Sequence, residues 1–310
     1  MRAIGQDVLG GPEVLKIVET ERPEPGPSEV LVRVHAAGVN PTDLWHRETG
    51  GLLADHPVRL GWDVSGTVEA VGLGVTVYRP GDAVYGMPRL PLPAGAYAEY
   101  LTAPARQLAP RPAGLSHTEA AALPVAALTA WQSLVDTAGV AAGQRVLVHA
   151  AAGGVGHLAV QIAKARGAYV IGTASGPKHA FVQALGADEV VDHRETDFTE
   201  AVKDVDVVLD AVGGEYGPRS LDVLRPGGTL VSLASPAEAY LADAARQRGL
   251  RAGFMIVEPD AGGLREIAAL VESGRLRVHV DAVLPLAEAG RAHELVAGGR
   301  ARGKIVLAVE

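Results

Sequence analysis

From Val125 onward, short apolar runs alternate with stretches whose apolar residues recur at helical spacing. The runs are Arg145–His149, Tyr169–Thr173, Glu189–Val191, Asp206–Leu209, Gly228–Leu233 and Arg251–Met255. Continuous apolar runs suit strands covered on both faces, and the helical stretches between them are the crossovers that parallel pairing requires. The pattern predicts an α/β, doubly wound parallel sheet over residues 125–265. Before it the rhythm differs: Val30–Val34, Gly66–Val71 and Gly81–Gly86 are β-rich runs punctuated by glycine, as in a compact, mostly β domain. The tail, with Val278–Leu284, a helical stretch near Leu286–Ala297 and a last strand at Lys304–Ala308, is expected to complete that first domain. The expected division is therefore 1–124 with 266–310, and 125–265 between them. No solenoid repeat or low-complexity tract interrupts it.

One junction in this pattern carries chemistry. Arg145–His149 runs straight into Ala150-Ala-Ala-Gly-Gly-Val-Gly156, and that into the helical stretch Leu158–Gly167. A strand, a glycine turn and a helix in that order let backbone N–H groups approach a pyrophosphate, with the helix N-terminus supplying partial positive charge. Glycines also serve turns that bind nothing, so context decides. The following run, Tyr169–Thr173, stands at βαβ spacing. NAD-binding versions end that strand with an Asp or Glu for the ribose hydroxyls. Between Gly156 and Asp188 there is no carboxylate, and Ser175, Lys178 and His179 follow the strand instead. A 2′-phosphate would be repelled by an acid and attracted by a lysine, so the expected cofactor is NADP(H), held by Ala152, Gly153, Gly154, Val155, Gly156, Thr173, Ser175 and Lys178. The bland reading of Lys178 is a solvated surface lysine.

Composition narrows the remaining classes. The 310 residues, 48% hydrophobic and 21% charged, suffice for a large core. A net charge of −8 without a basic run argues against a nucleic-acid partner. The longest apolar stretch, Ala120–Trp131, is too short to span a bilayer and contains Pro124, and the N-terminus lacks the apolar core of a secretory signal, so a soluble cytoplasmic protein is expected. The absence of cysteine removes disulfides, thiol nucleophiles and thiolate metal ligands together.

Seven ordered segments carry a family resemblance: Gly10–Leu15, Ala37–Asp43, Gly61–Gly66, Gly95–Tyr100, Ala150–Gly156, Asp210–Gly214 and Gly303–Leu307. In these the chain resembles the zinc-independent quinone oxidoreductases, the zeta-crystallin-like group of the medium-chain dehydrogenase/reductase superfamily, over nearly its whole length. The resemblance implies a GroES-like, mostly β catalytic domain formed by both chain ends, with a Rossmann-type dinucleotide-binding domain inserted. Zinc-dependent relatives place Cys where Asn40 stands and His where Trp62 stands, and of those positions only Asp63 could still bind a metal. No metal site is expected. It also implies a homodimer paired across the sheet edge near Arg251–Met255.

Without metal or thiol, the nicotinamide carries the chemistry and the protein orients it against an electron-poor acceptor. Quinones and α,β-unsaturated carbonyls suit, because each becomes a delocalised oxyanion that needs only hydrogen-bond donors. By resemblance the Asn40 amide touches the acceptor oxygen or the nicotinamide; alternatively Asn40 forms a turn before Pro41, a turn that Asp43 and Arg47 would organise. Tyr85 and Trp62 are candidates for shaping the acceptor pocket, Tyr85 also for supplying a proton, although aromatics at strand ends also belong to cores. Thr129 is placed at the nicotinamide, unless its hydroxyl bonds its own helix. By resemblance Val212 and Gly213, with Leu233, Ala234 and Ser235 nearby, are expected to line the nicotinamide ribose, although glycine pairs after strands also simply turn chains. His193 stands near the adenosine ribose where related sequences have Tyr, or is simply a loop histidine. Trp45 stands where a quinone reductase presents Tyr, which weakens the quinone assignment. The loops Arg47 to Arg59 and Gly86 to Gly95 are expected to set substrate shape. The expected activity is NADPH-dependent reduction of a small quinone or enone. Its alternatives are a redox-sensing or structural NADPH-binding protein with little turnover, and a reductase dedicated to one biosynthetic enone.

Overall fold

A computed structural model describes residues 1–52 and 59–309. The chain forms two compact units, one of residues 1–128, 258–272 and 278–310, the other of residues 129–257 and 273–277. The predicted loop Arg47 to Arg59 includes residues 53–58, which lie outside the described residues.

The first unit is built on β1 (Arg2–Gly5), β2 (Lys16–Glu19), β3 (Glu29–Val39), β4 (Val64–Val71), β5 (Ala83–Gly86), β6 (Tyr100–Pro104) and β7 (Leu108–Pro110). β3 is longer than the apolar run Val30–Val34 suggests. It continues through His35-Ala-Ala-Gly-Val39, whose small residues accept the close approach of neighbouring backbone. A Cβ at Gly38 would lie 2.5 Å from the Ala121 carbonyl oxygen and 2.5 Å from an Asp63 oxygen, so glycine is the residue that fits.

The second unit holds β8 (Arg145–Val148), β9 (Tyr169–Ala174), β10 (Glu189–Asp192), β11 (Val205–Asp210), β12 (Leu224–Ser232) and β13 (Arg251–Phe254). They form one sheet in the order β10-β9-β8-β11-β12-β13, every pairing parallel. This is the six-strand, doubly wound arrangement the alternation predicts, with the order reversing at β8. Its core joins Leu147, Ile171, Val208 and Leu230 from four strands to Phe198, Leu221 and Leu241 from the connections. β14 (Val280–Pro285) and β15 (Lys304–Ala308) return to the first unit, where β15 pairs antiparallel with β3. The first unit's main sheet thereby runs β14-β15-β3-β4-β5-β7, with β6 also on β3. Among the described residues no helix is long and apolar enough to cross a membrane.

Candidate functional site

The first group of site residues lies where the strand order reverses. β8 ends at Val148, and Ala150 turns the chain with a positive φ of 50°. The Thr173 hydroxyl accepts from the Ala150 N–H at 3.2 Å, and the Thr173 carbonyl accepts from the Ala151 N–H at 2.9 Å. Thr173 thus braces the turn from the neighbouring strand. Gly153 donates to the Ala150 carbonyl at 2.8 Å, and the helix Gly156–Ala165 follows with no acidic residue in its first turn. A Cβ on Gly156 would stand 2.2 Å from the Ala150 oxygen and 2.8 Å from the Ala151 Cα, which are backbone atoms that cannot swing away. Among the described residues the N–H groups of Gly154 and Val155 take no partner. Free amides at a helix start, without a side chain in front of them, suit a phosphate.

Beneath this turn lies a histidine that the sequence reading passes over. His149 is fully buried, with Nδ1 3.2 Å from the Thr173 hydroxyl and Nε2 3.0 Å from the Ser220 hydroxyl. Phe198 and Tyr216 meet its ring edge to face. Burial, then Arg219 and His193, push its pKa down to about 3, so the ring is neutral.

β9 delivers Ser175 and then a short helical turn, Gly176–Lys178. The Lys178 N–H bonds the Ser175 carbonyl at 2.8 Å. Asp192, at the end of β10, brings a carboxylate to this loop, accepting from the Gly176 N–H and from the Arg194 N–H at 2.9 Å. That acid is sixteen residues past Gly176 in sequence, so inspection of the strand end alone misses it. His193 is exposed and lines a pocket of about 180 Å³ with Phe198, Tyr216 and Arg219.

The loops after β11 and β12 are tied together by the Asp210 backbone carbonyl and the Glu238 carboxylate, while the Asp210 carboxylate braces its own loop. Asp210 Oδ1 accepts from Val212 and Gly213 at 2.9 and 3.0 Å, and the Asp210 carbonyl accepts from Leu233 at 2.8 Å. Glu238 accepts from Gly214 at 2.7 Å and from the Ser232 hydroxyl. A Cβ on Gly213 would fall 2.3 Å from that of Ala234. Val212, Gly213, Leu233 and Ala234 therefore converge, while Ser235 caps the next turn through Ala237 at 3.1 Å. Thr129 is buried in the helix Pro124–Trp131, and its carbonyl accepts from Ser133 Oγ at 2.7 Å. The helix then widens into a π turn over Gln132–Thr137, a feature without a sequence signal.

In the first unit, Asn40 caps the helix Pro41–Thr49. Its N–H donates to Asp43 Oδ2 at 2.8 Å, and Asp43 Oδ1 accepts from Gly61 at 3.0 Å, so Asp43 organises the turn. Burial pushes the Asp43 pKa up to about 7; the neighbouring Asp63 adds to this, against the pull of the Asn40 and Gly61 amides and of Lys304. Arg47, also buried, binds the Gly10 carbonyl at 3.0 Å and His293 Nδ1 at 2.9 Å. The Asn40 side chain joins a cluster absent from the sequence reading. Its Nδ2 donates to Asp63 Oδ2 at 2.8 Å, and its Oδ1 accepts from the ammonium of Lys304. Lys304 also donates to the Val39 carbonyl at 3.0 Å and to Asp63 Oδ2 at 3.3 Å. Asp63 Oδ1 accepts from the Val125 N–H at 2.6 Å.

Tyr85 and Trp62 are both fully buried. The Tyr85 hydroxyl gives its one hydrogen to the Leu264 carbonyl at 2.6 Å, and burial raises its pKa. The Trp62 indole donates to the Leu92 carbonyl at 2.9 Å and packs on His46. Among the described residues no three His, Cys, Asp or Glu side chains are grouped to hold a metal ion.

Residues 26–113 match the model of the alcohol dehydrogenase GroES-like domain, and residues 185–307 that of the zinc-binding dehydrogenases. A quinone oxidoreductase of Pseudomonas aeruginosa is 35% identical, over 96% of this chain and 96% of its own. The structure of the quinone oxidoreductase from Coxiella burnetii superposes with a TM-score of 0.96 at 40% identity, covering 100% of this chain and 99% of that one. That of the Escherichia coli quinone oxidoreductase complexed with NADPH gives 0.89 at 32% identity, covering 99% and 100%.

Proposed function

The chain belongs to the quinone oxidoreductase family of the medium-chain dehydrogenase/reductase superfamily, and from that premise we propose that it transfers hydride from NADPH to a quinone or α,β-unsaturated carbonyl without a metal. The observation that carries this reading is the glycine turn at the reversal of the parallel sheet, with the free amides of Gly154 and Val155 and the Cβ-excluding contact at Gly156. These residues fit a pyrophosphate. Ser175 and Lys178 follow β9 where a 2′-phosphate needs a donor and a cation, and the NADPH bound by the Escherichia coli relative supports that choice. Bound NADPH supplies the hydride. The protein's part is to orient and to stabilise charge: Thr173 and Asp210 fix the loops, and the Asn40 amide N–H meets developing negative charge on the acceptor oxygen.

A divalent metal at Asn40 and Asp63 would be repelled by the Lys304 ammonium already bonded to both, which supports metal-free chemistry. β13, one of the two edge strands of the second unit's sheet, supports pairing with a second copy. The test is loss of NADPH absorbance with a panel of quinones and enones, with and without chelator, beside NADPH binding by fluorescence. Turnover that survives the chelator is expected. Tight NADPH binding with no turnover of any acceptor would overturn the reductase reading in favour of a sensor.

A further inference from the structure

Asn40 is the only asparagine in the chain, and its amide is held from both ends by groups of opposite character. An ammonium can only donate and an ionised carboxylate can only accept. Lys304 on Oδ1 and Asp63 on Nδ2 therefore fix which way the amide faces, with no alternative flip that keeps both bonds. Lys304 itself is 3% exposed and Asp63 0% exposed. Three acceptors, Val39, Asn40 and Asp63, match the three N–H bonds of the ammonium, and Asp63 is anchored in turn on the Val125 amide. The pair thus spends its hydrogen bonds on two targets, the backbone and one amide. The second Nδ2 hydrogen of Asn40 has no partner among the described residues.

The geometry points to Lys304 as a positioning residue: bonded directly to Oδ1, with Asp63 holding Nδ2, it locks the Asn40 amide so that its N–H face, and not its oxygen, is offered to the acceptor. This rests on the reductase reading above for the identity of the acceptor, but not for the lock itself. A flipped amide would present an oxygen lone pair to an oxyanion, turning a stabilising contact into a repulsive one. Lys304 reaches Asn40 from β15, at the far end of the chain, so the last strand sets the chemistry of a residue on the first helix cap.

The experiment is a double-mutant cycle with Lys304→Met, Asn40→Ala and their combination, read as kcat and as KM for NADPH. Because misorientation of a catalytic contact costs up to about a hundredfold, Lys304→Met should lower kcat at least about tenfold while the NADPH KM stays within about twofold. In the Asn40→Ala background it should cost nothing further. Additive losses, or an effect confined to KM, would overturn the proposal. Since Asn40 is the sole asparagine, selective ¹⁵N-asparagine labelling gives one side-chain amide pair, whose hydrogen exchange reports the lock without turnover. Exchange should accelerate at least about tenfold in Lys304→Met, and unchanged exchange would overturn the lock. If the wild-type chain reduces no acceptor, the functional reading fails and the exchange arm alone decides for Lys304. If Lys304→Met does not fold, Lys304→Met/Asp63→Ser, which leaves no buried charge uncompensated, carries both readouts.

Discussion

Replacing Asp43 by Asn should remove a pH dependence of stability that the wild-type fold carries near neutrality. Asp43 is fully buried and accepts from the Asn40 and Gly61 amides, with Tyr97 also bonded to it and Asp63 and Lys304 close by. Its folded pKa stands at about 7 against an ordinary 3.8. A carboxyl whose folded pKa is raised holds its proton more tightly in the folded state. Its contribution is therefore complete below the unfolded pKa and is lost as pH rises through about 7. At 1.36 kcal/mol per unit the whole loss is about 4 kcal/mol, of which about 2 kcal/mol falls between roughly pH 5.5 and 8. Asparagine does not titrate. It sets an amide N–H against one of the two backbone donors, a pH-independent cost of about 1–3 kcal/mol. Urea unfolding of both proteins across that window should show the variant gaining about 2 kcal/mol on the wild type as pH rises. The histidines cancel, because both proteins carry them. A difference that stays flat within about 0.5 kcal/mol would refute the assignment of the titration to Asp43.

The remaining tests address the cofactor turn and its supports. His149, buried and neutral with its pKa near 3, contributes stability that is present above about pH 6.5 and lost as pH falls; at about pH 5 the wild type should have lost roughly 2 kcal/mol more than His149→Gln, and equal losses by urea titration would count against it. Gly156→Ala forces a Cβ to 2.2 Å from the Ala150 oxygen, so NADPH affinity by fluorescence titration should fall about tenfold or more, with a destabilisation of about 1–3 kcal/mol; unchanged binding would remove the turn from the site. Lys178→Ala should raise KM for NADPH about two- to fivefold more than for NADH, and Asp192→Asn should shift selectivity the other way, as charges acting through solvent do. Parallel changes with both cofactors would refute the 2′-phosphate assignment.

What the chain reveals before folding is its local content. The second unit was legible because each strand and crossover is contiguous: Tyr169–Thr173 reads as a strand and β9 is Tyr169–Ala174. The glycine turn is legible for the same reason. Residues that act across the sheet are not. In sequence Lys304 only opens the last apolar strand, since its partners Asn40 and Asp63 are 264 and 241 residues away. Asp192 at a strand end and Glu238 in a short helical turn are unremarkable acids until the fold brings them to Gly176 and Gly214. Tyr85 and Trp62 look available as pocket aromatics in sequence, but alternation along a strand does not say which face meets a carbonyl, and both spend their polar hydrogens on backbone.

The Lys304–Asp63 pair also bears on the metal-free chemistry proposed above. Burying two ions costs several kcal/mol each, and a well-packed apolar pair of similar volume often serves stability equally well or better. A fold selected only to be stable would have little use for a lysine at 3% exposure inside a β-sheet. The cost is contained here by full satisfaction: the ammonium has three acceptors, and each carboxylate oxygen has at least one donor. What an apolar pair could not do is orient an amide, because only a donor-only cation and an acceptor-only anion distinguish its two ends. On the reading proposed above, the Lys304 ammonium, bonded to both Asn40 and Asp63, would also repel a divalent ion drawn to that carboxylate. On that same reading the ammonium both disfavours a divalent ion and sets the Asn40 amide, so the two properties should be lost together when Lys304 is removed.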